Sequence, residues 1–338
     1  MAAYLLKRIA QGFLVLAGVS VVTFVIARTA PSNPAALWVG PRATTEQIEK
    51  AKIALGLDKP LIFQYQRYIR DIISGNWGVS IRSHQSVRTE LSGFFAATME
   101  LTLAGIFIAL IFAVPLGVIA AKKKESWIDK LIRLLSVSGV SIPVFWLAML
   151  LQLIFFKELK IFPLGERVST HISLMYPLEA GTGYFLLDSF LQGNWPFFKS
   201  ALSHIILPAI VMAAYPLGLI IKMLRTSMIE TLASEHSRFF TALGIGAPRR
   251  VFIYSLKNAS PSSLTSLGII FADSLTSSFL IESVFSWPGL GRWTSQAILS
   301  NDYPVTMAIT FVVAFFFILS NIIVDMLLVV IDPRVKLT

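Results

Sequence analysis

The side chains able to carry out acid–base, nucleophilic or metal chemistry are few in this sequence, and they lie far apart. None of the histidines sits in an H-E-x-x-H pattern, which would place two imidazoles on one helix face as zinc ligands. The four are His84, His171, His204 and His236. Cysteine is absent, so no thiolate nucleophile, disulfide or cysteine-ligated metal can form. We expect no metal bound by this chain.

Two patterns that indicate a catalytic centre are missing as well. The loop G-x-x-x-x-G-K-[ST] cradles nucleotide phosphates, and G-x-S-x-G exposes a nucleophilic serine. Neither occurs in the 338 residues. An intramembrane enzyme would need a nucleophile with its base, or metal ligands, at membrane depth, and the sequence offers no such pair. We expect a chain that is not an enzyme and binds no cofactor of its own.

Ionisable residues inside apolar segments are the remaining candidates, because desolvating them is costly. Asp273 lies in mid-segment, in the polar run DSLTSS that includes Ser277. It is expected to meet a translocated solute, such as one carrying an ammonium group, or to pair with a neighbouring helix. Glu282 and Asp325 lie near segment ends, where structural pairing or snorkelling is favoured. Glu100 begins an apolar segment and is expected to reach the membrane interface.

The elements that must position these residues are apolar segments long enough to cross a bilayer. Hydrophobic residues make up 55% of the chain, charged residues make up 14%, and the mean hydropathy is +0.71. One soluble core could not bury that much apolar surface. A span needs about 20 residues, and the sequence predicts an all-α membrane protein with six. They lie near residues 8–28, 96–121, 132–156, 202–222, 263–284 and 307–331.

Lysine and arginine predict the orientation of these spans. With both termini in the cytoplasm, four stretches become cytoplasmic, namely residues 1–8, 122–133, 222–257 and 332–338. They carry 15 Lys and Arg and 5 Asp and Glu, whereas the rest of the chain carries 14 of each kind. The net charge of +10 therefore lies on one side, as the positive-inside rule expects. Because this explains the pI near 9.8 and no single basic patch forms, we expect no nucleic-acid binding.

The first apolar segment could be a secretory signal, because LLKR precedes it and small residues follow it. Its apolar core is longer than the roughly 7–15 residues of a signal, so we expect a retained helix in residues 1–28.

Residues 29–95 are then an extracytoplasmic helical segment. Thr44 or Thr45 can cap a helix that ends before Gly56, and LIFQYQRYIRDII predicts an amphipathic helix that Gly75 closes. These helices are expected on the membrane surface, on a partner, or as a cap on their own bundle. A second outside segment, residues 158–200, is rich in turn signals and is expected to be structured but irregular.

The stretch EHSRFFTALGIGAPRRVF, residues 235–252, predicts a short amphipathic helix between two spans. Ser234 can cap it, Glu235 suits a helix N-terminus, and Gly244 ends it before Pro248 begins the next helix. A short helix joined rigidly to spans on both sides can act as a lever. The alternative is an interfacial helix that anchors aromatic side chains among lipid headgroups.

This stretch resembles the EAA loop in membrane subunits of binding-protein-dependent ABC importers. Similar blocks run through nearly the whole chain in the family's order. They are LLKRI, GLDKPLIFQYQRYI, GNWGVSI, ATMELTLAG, SIPVFWLAMLL, EHSRFFTALGIGAPRR, LKNASPSSLTSLG, ESVFSWPGLGRW, NDYPVTMAI, NIIVDMLL and DPRVK. The chain is similar to the B-type membrane subunit of dipeptide and oligopeptide permeases.

The resemblance implies a type I importer in the prokaryotic cytoplasmic membrane. A second permease subunit, a C-type paralogue, would complete the pathway, and an extracytoplasmic binding protein would deliver the solute. Two cytosolic ATPases would bind ATP and Mg²⁺, which accounts for the missing phosphate loop. Residues 96–338 would form the core permease domain, with the coupling loop at residues 223–262. The implied ATPase-coupling residues are Glu235, Arg238, Phe239, Phe240, Ala242 and Gly244.

The chain departs from the family pattern at this loop. Phe239 and Phe240 stand where small residues are usual, and Leu243 replaces a common lysine. Either the partner ATPase has a matching cleft or the helix docks in a different register.

The block SWPGLGRW, residues 286–293, predicts a tight outside turn built on Pro288, Gly289 and Gly291. It is expected to serve as an outer gate or a contact for the binding protein. The alternative is a rigid turn with Trp287 and Trp293 as anchors in the aromatic belt.

Di- or oligopeptides are the expected solute, with nickel, haem or another small solute as alternatives on the same machinery. The candidates for the translocation pathway are Asp273, Ser277 and Glu282. A different class is an ion-coupled secondary transporter with Asp273 as its ion site. That class is marked by inverted repeats and paired broken helices, and the sequence shows neither.

Overall fold

The computed structural model describes residues 2–29, 34–40, 42–54 and 56–331, and within them the chain is helical apart from turns and one isolated bridge. The helices of the first half are α1 Ala2–Thr29, α2 Pro34–Val39, α3 Thr45–Ala54, α4 Leu61–Ile73, α5 Val87–Lys122, α6 Trp127–Ser141 and α7 Val144–Leu151, which a π-helix, Gln152–Glu158, continues. Those of the second half are α8 Thr170–Met175, α9 Phe185–Leu191, α10 Trp195–Ala233, α11 Glu235–Ala242, α12 Ala247–Arg249, α13 Leu256–Val284, α14 Leu290–Leu299 and α15 Tyr303–Ile331. A second π-helix, Arg250–Ser255, joins α12 to α13. The all-α prediction is confirmed.

Five helices in the described part of the chain are long and apolar enough to cross a membrane, judged by length and composition. Their qualifying stretches are Leu6–Thr29, Val87–Lys122, Trp195–Ala233, Ser266–Val284 and Tyr303–Leu327. The other candidate is a pair of helices, α6 followed by α7 with its π-helix, which meet at 107° and could count as a sixth span.

The span predicted near residues 132–156 is not one continuous helix, and it stays a prediction as a broken span. The chain leaves the helix at Ile142, which has extended backbone angles, and Pro143 precedes α7. Proline disfavours the helical conformation in the residue before it and supplies no N–H to the helix ladder. The bend therefore follows from Pro143, whereas Pro208 and Pro216 lie inside α10 without ending it.

The centre of the molecule is the contact of α10 with α5 and α6, where small residues allow close approach. Gly105 faces the side chain of Met212, and Gly117 faces that of Leu224. On the other flank, the Ser136 hydroxyl donates to the Gly218 carbonyl at 2.6 Å. Small residues at such contacts are typical of helices packed within membranes, where the backbones approach closely.

The first helix packs on the last one, and this contact explains Asp325. Its carboxylate accepts from the Tyr4 hydroxyl at 2.8 Å and pairs with Arg8 at 3.0 Å. The predicted pairing of Asp325 is therefore confirmed.

The predicted helices of residues 29–95 form, and they cover their own bundle. Thr44 is the cap of α3, since its hydroxyl accepts from Gln47 N at 3.3 Å while the Gln47 side chain accepts from Thr44 N at 2.9 Å. Tyr65 and Tyr68 of α4 pack on Phe24 of α1, with ring centroids 5.3 and 5.7 Å apart. Within this chain α4 therefore packs on the bundle, while placement on the membrane surface or on a partner stays a prediction.

The prediction that Glu100 reaches the membrane interface is wrong. α5 begins at Val87, so Glu100 lies inside the helix, and residues 158–200 fold over it. Its carboxylate is buried, pairs with Arg167 and accepts from Leu186 N at 2.7 Å. A charge so enclosed is tolerated because it is paired and hydrogen-bonded.

Candidate functional site

The short helix predicted between two spans is α11, and its end is built as the glycine predicts. Gly244 has φ +73°, a left-handed conformation that glycine adopts at little cost. Gly244 N donates to Thr241 O at 3.0 Å and Ile245 N donates to Phe240 O at 3.1 Å. This pair of bonds is a Schellman motif, which satisfies carbonyls left over at the helix end.

The start of α11 differs from the prediction in one respect. Ser234 occupies the position before the helix, in an extended conformation, but its side chain does not cap it. The hydroxyl instead donates backwards to Thr231 O at 2.7 Å. Ser234 therefore links the end of α10 to the turn and leaves the first amides of α11 without a side-chain cap.

The chain returns from α11 to a long helix without a flexible break. Pro248 lies in the first turn of α12, as predicted, and the π-helix leads directly into α13. Phe240 stacks on Tyr254 with centroids 4.4 Å apart, and Arg250 donates to the Thr241 hydroxyl. We call residues 234–255 the α11 hairpin. These contacts hold α11 against the π-helix that leads into α13.

One face of α11 is open. Phe239 is 61% exposed and Leu243 is 60% exposed, whereas Phe240 is partly covered by Tyr254. The other coupling candidates are also exposed, and they are Glu235, Arg238, Ala242 and Gly244. An exposed apolar tip bordered by charges suits insertion into a complementary protein groove.

Asp273 lies on an exposed strip of α13 together with Ile269 and Thr276. Its carboxylate makes no hydrogen bond or ion pair with any residue in the described ranges. The Ser277 hydroxyl, half-buried, donates to Asp273 O of its own helix at 2.7 Å. The expected pairing of Asp273 with a neighbouring helix is thus not found within the described chain, and its carboxylate is free to meet another molecule.

Glu282 lies two turns further along α13, but it does not share that strip. Its side chain is 0% exposed. It accepts from the Thr98 hydroxyl at 2.6 Å and from Arg292 N at 2.8 Å, near the start of α14. The expectation of structural pairing is confirmed, and Glu282 does not snorkel.

The tight turn before α14 forms as predicted, and we call residues 286–291 the outer turn. A Cβ on Gly289 would lie 2.3 Å from Glu282 Oε1, and one on Gly291 would lie 2.5 Å from Phe279 Cα. Both positions therefore need glycine for close packing. Pro288 is exposed at the tip.

The aromatic-belt interpretation of this block is wrong, because both indoles are buried in protein. Trp287 is 1% exposed and donates from Nε1 to Ala97 O at 2.9 Å. Trp293 is 7% exposed and stacks on Phe94 with centroids 4.6 Å apart. The two residues fasten the outer turn to α5.

Arg167 is a residue of this region that the sequence did not single out. Its guanidinium lies 3.7 Å from the centroid of Phe185 and donates to Gly183 O at 2.9 Å. Burial lowers the pKa of Arg167, and the Glu100 carboxylate acts in the opposite direction. The sequence feature that could have identified Arg167 is its position as an arginine within a loop rich in glycine, proline and aromatic residues. No group of three or more histidine, aspartate or glutamate residues that could hold a metal occurs in the described ranges.

Comparison with protein families adds to these observations. The family model described as "Binding-protein-dependent transport system inner membrane component" matches residues 113–337. The model for the N-terminal part of such membrane components matches residues 1–102. Together they cover most of the chain.

Individual relatives match along nearly their whole length. The probable D,D-dipeptide transport system permease protein of Escherichia coli K12 is 39% identical over 322 residues, which are 95% of this chain and 94% of the relative. The dipeptide transport system permease protein of Alkalihalophilus pseudofirmus is 36% identical over 336 residues, 99% of this chain and 100% of the relative. The di/tripeptide transport system permease protein of Pseudomonas aeruginosa is 37% identical over 320 residues, 94% of each.

Proposed function

This chain belongs to the family of binding-protein-dependent transport system inner membrane components, and from that membership we propose that it is the B-type permease subunit of an ATP-driven peptide importer. It is a multi-pass membrane protein that performs no catalysis itself. The observation that carries the proposal is the α11 hairpin, whose exposed apolar tip is joined on both sides to membrane-spanning helices. Relatives named for dipeptide or di/tripeptide transport support di- or oligopeptides as the solute.

The complex we propose has four further subunits. A C-type permease subunit supplies the second half of the pathway, an extracytoplasmic protein delivers the peptide, and two cytosolic ATPases hydrolyse ATP with Mg²⁺. The chain crosses the cytoplasmic membrane of a prokaryote six times, with α6 and α7 as one broken span and both termini in the cytoplasm. The excess of Lys and Arg in the short loops supports this orientation.

Force passes through the α11 hairpin. The exposed side chains Phe239 and Leu243 sit in a groove of one ATPase, and Glu235 and Arg238 border the contact. When the nucleotide-bound ATPases close, the groove carries α11 with it. Because the Phe240–Tyr254 stack holds α11 to the π-helix that leads into α13, α10 and α13 move together as one packed body.

The exposed strip of α13 faces the peptide pathway in this proposal. Asp273 has no partner in the described chain, so its carboxylate can attract the N-terminal ammonium of a peptide. The Ser277 hydroxyl contributes little to peptide binding, because it already donates to Asp273 O of its own helix. The buried Glu282 carboxylate holds the outer turn in place through its hydrogen bonds to Thr98 and Arg292 N. The outer turn, with Pro288 exposed at its tip, is the surface that contacts the binding protein.

Co-purification tests the complex. The tagged full-length chain, extracted in mild detergent, should bring down two ATPases, a second permease subunit and a peptide-binding protein. In liposomes, peptide-loaded binding protein should stimulate ATP hydrolysis. A lone chain that transports peptide without ATPases would overturn the proposal.

The coupling contact is tested by shortening one exposed aromatic side chain. Phe239→Ala should lower stimulated ATP hydrolysis about tenfold, because an anchor side chain buried at an interface is commonly worth more than about 1.4 kcal/mol. Trp127→Ala is the matched control, since Trp127 is similarly exposed and lies at the start of α6, on the same proposed side of the membrane. Equal activities of the two variants would contradict docking through α11.

A further inference from the structure

A large cavity lies at the C-terminal end of α1, away from the α11 hairpin and the strip that holds Asp273. Its volume is ≈ 730 Å³, and it is lined by α1, α2, α4, the loop before α5 and the start of α15. Four cations line it, Arg28, Lys59, Arg67 and Arg70, with Asp71 as the acidic residue among its lining. We call it the basic cavity.

The charge of the basic cavity is poorly compensated. Arg67 and Asp71 are 3.8 Å apart, and both are substantially exposed. Arg28, Lys59 and Arg70 form no ion pair with any residue in the ranges that the structure describes. Cations gathered around a concave site raise the local concentration of anions.

Three residues that line the cavity each carry a buried polar atom with no hydrogen-bond partner among the described residues. These atoms are Arg28 Nε, Tyr68 OH and Gln64 Oε1. Burial raises the pKa of Tyr68, so its phenol keeps the proton and can donate. The Gln64 amide nitrogen donates to Lys59 O at 2.7 Å, which identifies the free atom as the acceptor oxygen. Buried polar groups without partners are rare in native proteins.

We propose that the basic cavity binds a phosphate group, supplied by an anionic glycerophospholipid at the membrane surface. Arginine and phenol donors match phosphate oxygens, with charge-assisted bonds from the guanidinium groups. The Gln64 oxygen is left to accept from a hydroxyl of the headgroup. The site does not depend on peptide transport, although the lipid as its source rests on the proposed membrane position of α1.

Two features favour a lipid over a soluble phosphate or an acidic protein. Arg28 lies in the last turn of a candidate span, Leu6–Thr29, which is the level of the headgroups. The first turn of α4 exposes three large apolar side chains, Leu61, Ile62 and Phe63. Such side chains beside a cationic site suit the boundary between headgroups and acyl chains.

The test is a lipid titration of the full-length chain with its partner subunits, delipidated in detergent and followed by native mass spectrometry. Phosphatidylglycerol and phosphatidylcholine with the same acyl chains are compared, and inorganic phosphate is added as a competitor. The variants are Arg67→Gln with Arg70→Gln, and Arg28→Gln alone. The matched control is Arg42→Gln with Lys50→Gln, two exposed cations of the same segment outside the cavity.

We expect phosphatidylglycerol to bind more tightly than phosphatidylcholine, and each cavity variant to weaken it about tenfold, since a charge-assisted bond contributes more than 1.4 kcal/mol. The control should bind like the parent. Arg67→Lys with Arg70→Lys keeps the charge and should retain most of the binding, which separates recognition from misfolding.

The other outcomes are equally informative. If inorganic phosphate binds with the same dependence on the arginines and phosphatidylglycerol shows no preference, the phosphate site stands and its source is soluble. If the variants keep the full preference for phosphatidylglycerol, the proposal is overturned. The proposal is also overturned if the cavity variants bind phosphatidylglycerol like the parent and lose only their binding to the extracytoplasmic binding protein. The cavity would then recognise an acidic protein surface.

Discussion

Two buried carboxylates near the outer turn are held by different chemistry. Glu100 has a charged partner, Arg167, and both side chains are almost fully buried. Glu282 has neutral donors, the Thr98 hydroxyl and the backbone N–H of Arg292. Removing a donor from either carboxylate leaves a buried charge or acceptor short of bonds, and that desolvation cost exceeds the net worth of the bond itself.

Arg167→Met should destabilise the protein by about 3 kcal/mol, since breaking a buried ion pair leaves Glu100 uncompensated. Thermal unfolding of the detergent-purified chain, followed by circular dichroism, measures the change. Lys50→Met is the control, because the Lys50–Glu46 pair is largely exposed and should contribute less than about 1 kcal/mol. A double variant, Arg167→Met with Glu100→Leu, should recover part of the loss. Equal effects of Arg167→Met and Lys50→Met would contradict the buried pair.

Thr98→Val should cost about 2 kcal/mol, because one hydroxyl serves two partners. It donates to Glu282 and accepts from Leu290 N at 2.7 Å. Thr310→Val is the matched control, since the Thr310 hydroxyl bonds only to Thr306 O of its own helix at 2.8 Å. The same unfolding measurement applies. If Thr98→Val were as stable as Thr310→Val, Thr98 would not hold the outer turn.

At the scale of elements, substitutions at two glycines of the α11 hairpin distinguish the effect of backbone strain from the effect of side-chain contact. A Cβ at Gly244 or at Gly246 would meet no atom within 4 Å. Only Gly244 has a positive φ, +73°, whereas Gly246 has φ −57°. An alanine at Gly244 therefore costs about 1–2 kcal/mol through the backbone alone, which loosens the end of α11.

Gly244→Ala should lower peptide-stimulated ATP hydrolysis several-fold while membrane insertion stays unchanged, and Gly246→Ala should behave like the parent. ATPase assays of both complexes in liposomes, with membrane-fraction blots for insertion, measure the two properties. A fully stimulated Gly244→Ala complex would mean that the shape of the hairpin does not transmit force.

The sequence predicts elements well where the signal is local. Gly244 marks the end of α11 and Pro248 the start of α12 within a few residues, and apolar length predicts the long helices. Contacts between distant residues leave no such signal. Glu100 and Arg167 are 67 positions apart. The sequence around Glu100 therefore could not show whether this residue lies at the membrane interface or in a buried ion pair. Trp287 is likewise of a residue type common in lipid anchors, but its indole N–H donates to Ala97 O, 190 positions away.

Local signals can also compete. Ser234 is a good capping residue at the right position, yet its hydroxyl bonds to the preceding turn. The break at Ile142 and Pro143 has a local cause, but a proline inside an apolar run is compatible with a continuous helix too, as Pro208 and Pro216 show. Packing against neighbouring helices decides between these outcomes.

The whole molecule has two unlike ends. At the outer turn, buried indoles, a buried carboxylate and the Arg167 pair fasten loops to α5. At the α11 hairpin, apolar side chains stand exposed on a short helix. This asymmetry suits a subunit driven from one side, because motion enters at the exposed end and the fastened end follows as a body.

The number of crossings is the prediction that decides the overall topology, and the absence of cysteine makes it directly testable. Single cysteines replace four exposed residues, each in a different segment between candidate spans, Lys50, Lys123, Glu179 and His236. A charged maleimide cannot cross a bilayer, so in right-side-out vesicles it should label Lys50→Cys and Glu179→Cys only. Permeabilised vesicles should label all four, and the cysteine-free parent should remain unlabelled.

The pattern of labelling distinguishes a broken span from a re-entrant loop at the 107° bend between α6 and α7. If the pair crosses once, Lys123 and Glu179 lie on opposite faces and His236 returns to the side of Lys123. If it re-enters, Glu179 stays on the face of Lys123 and α10 carries His236 to the other side. Labelling of His236→Cys instead of Glu179→Cys in sealed vesicles would therefore leave five crossings and place α11 where no cytosolic ATPase could reach it.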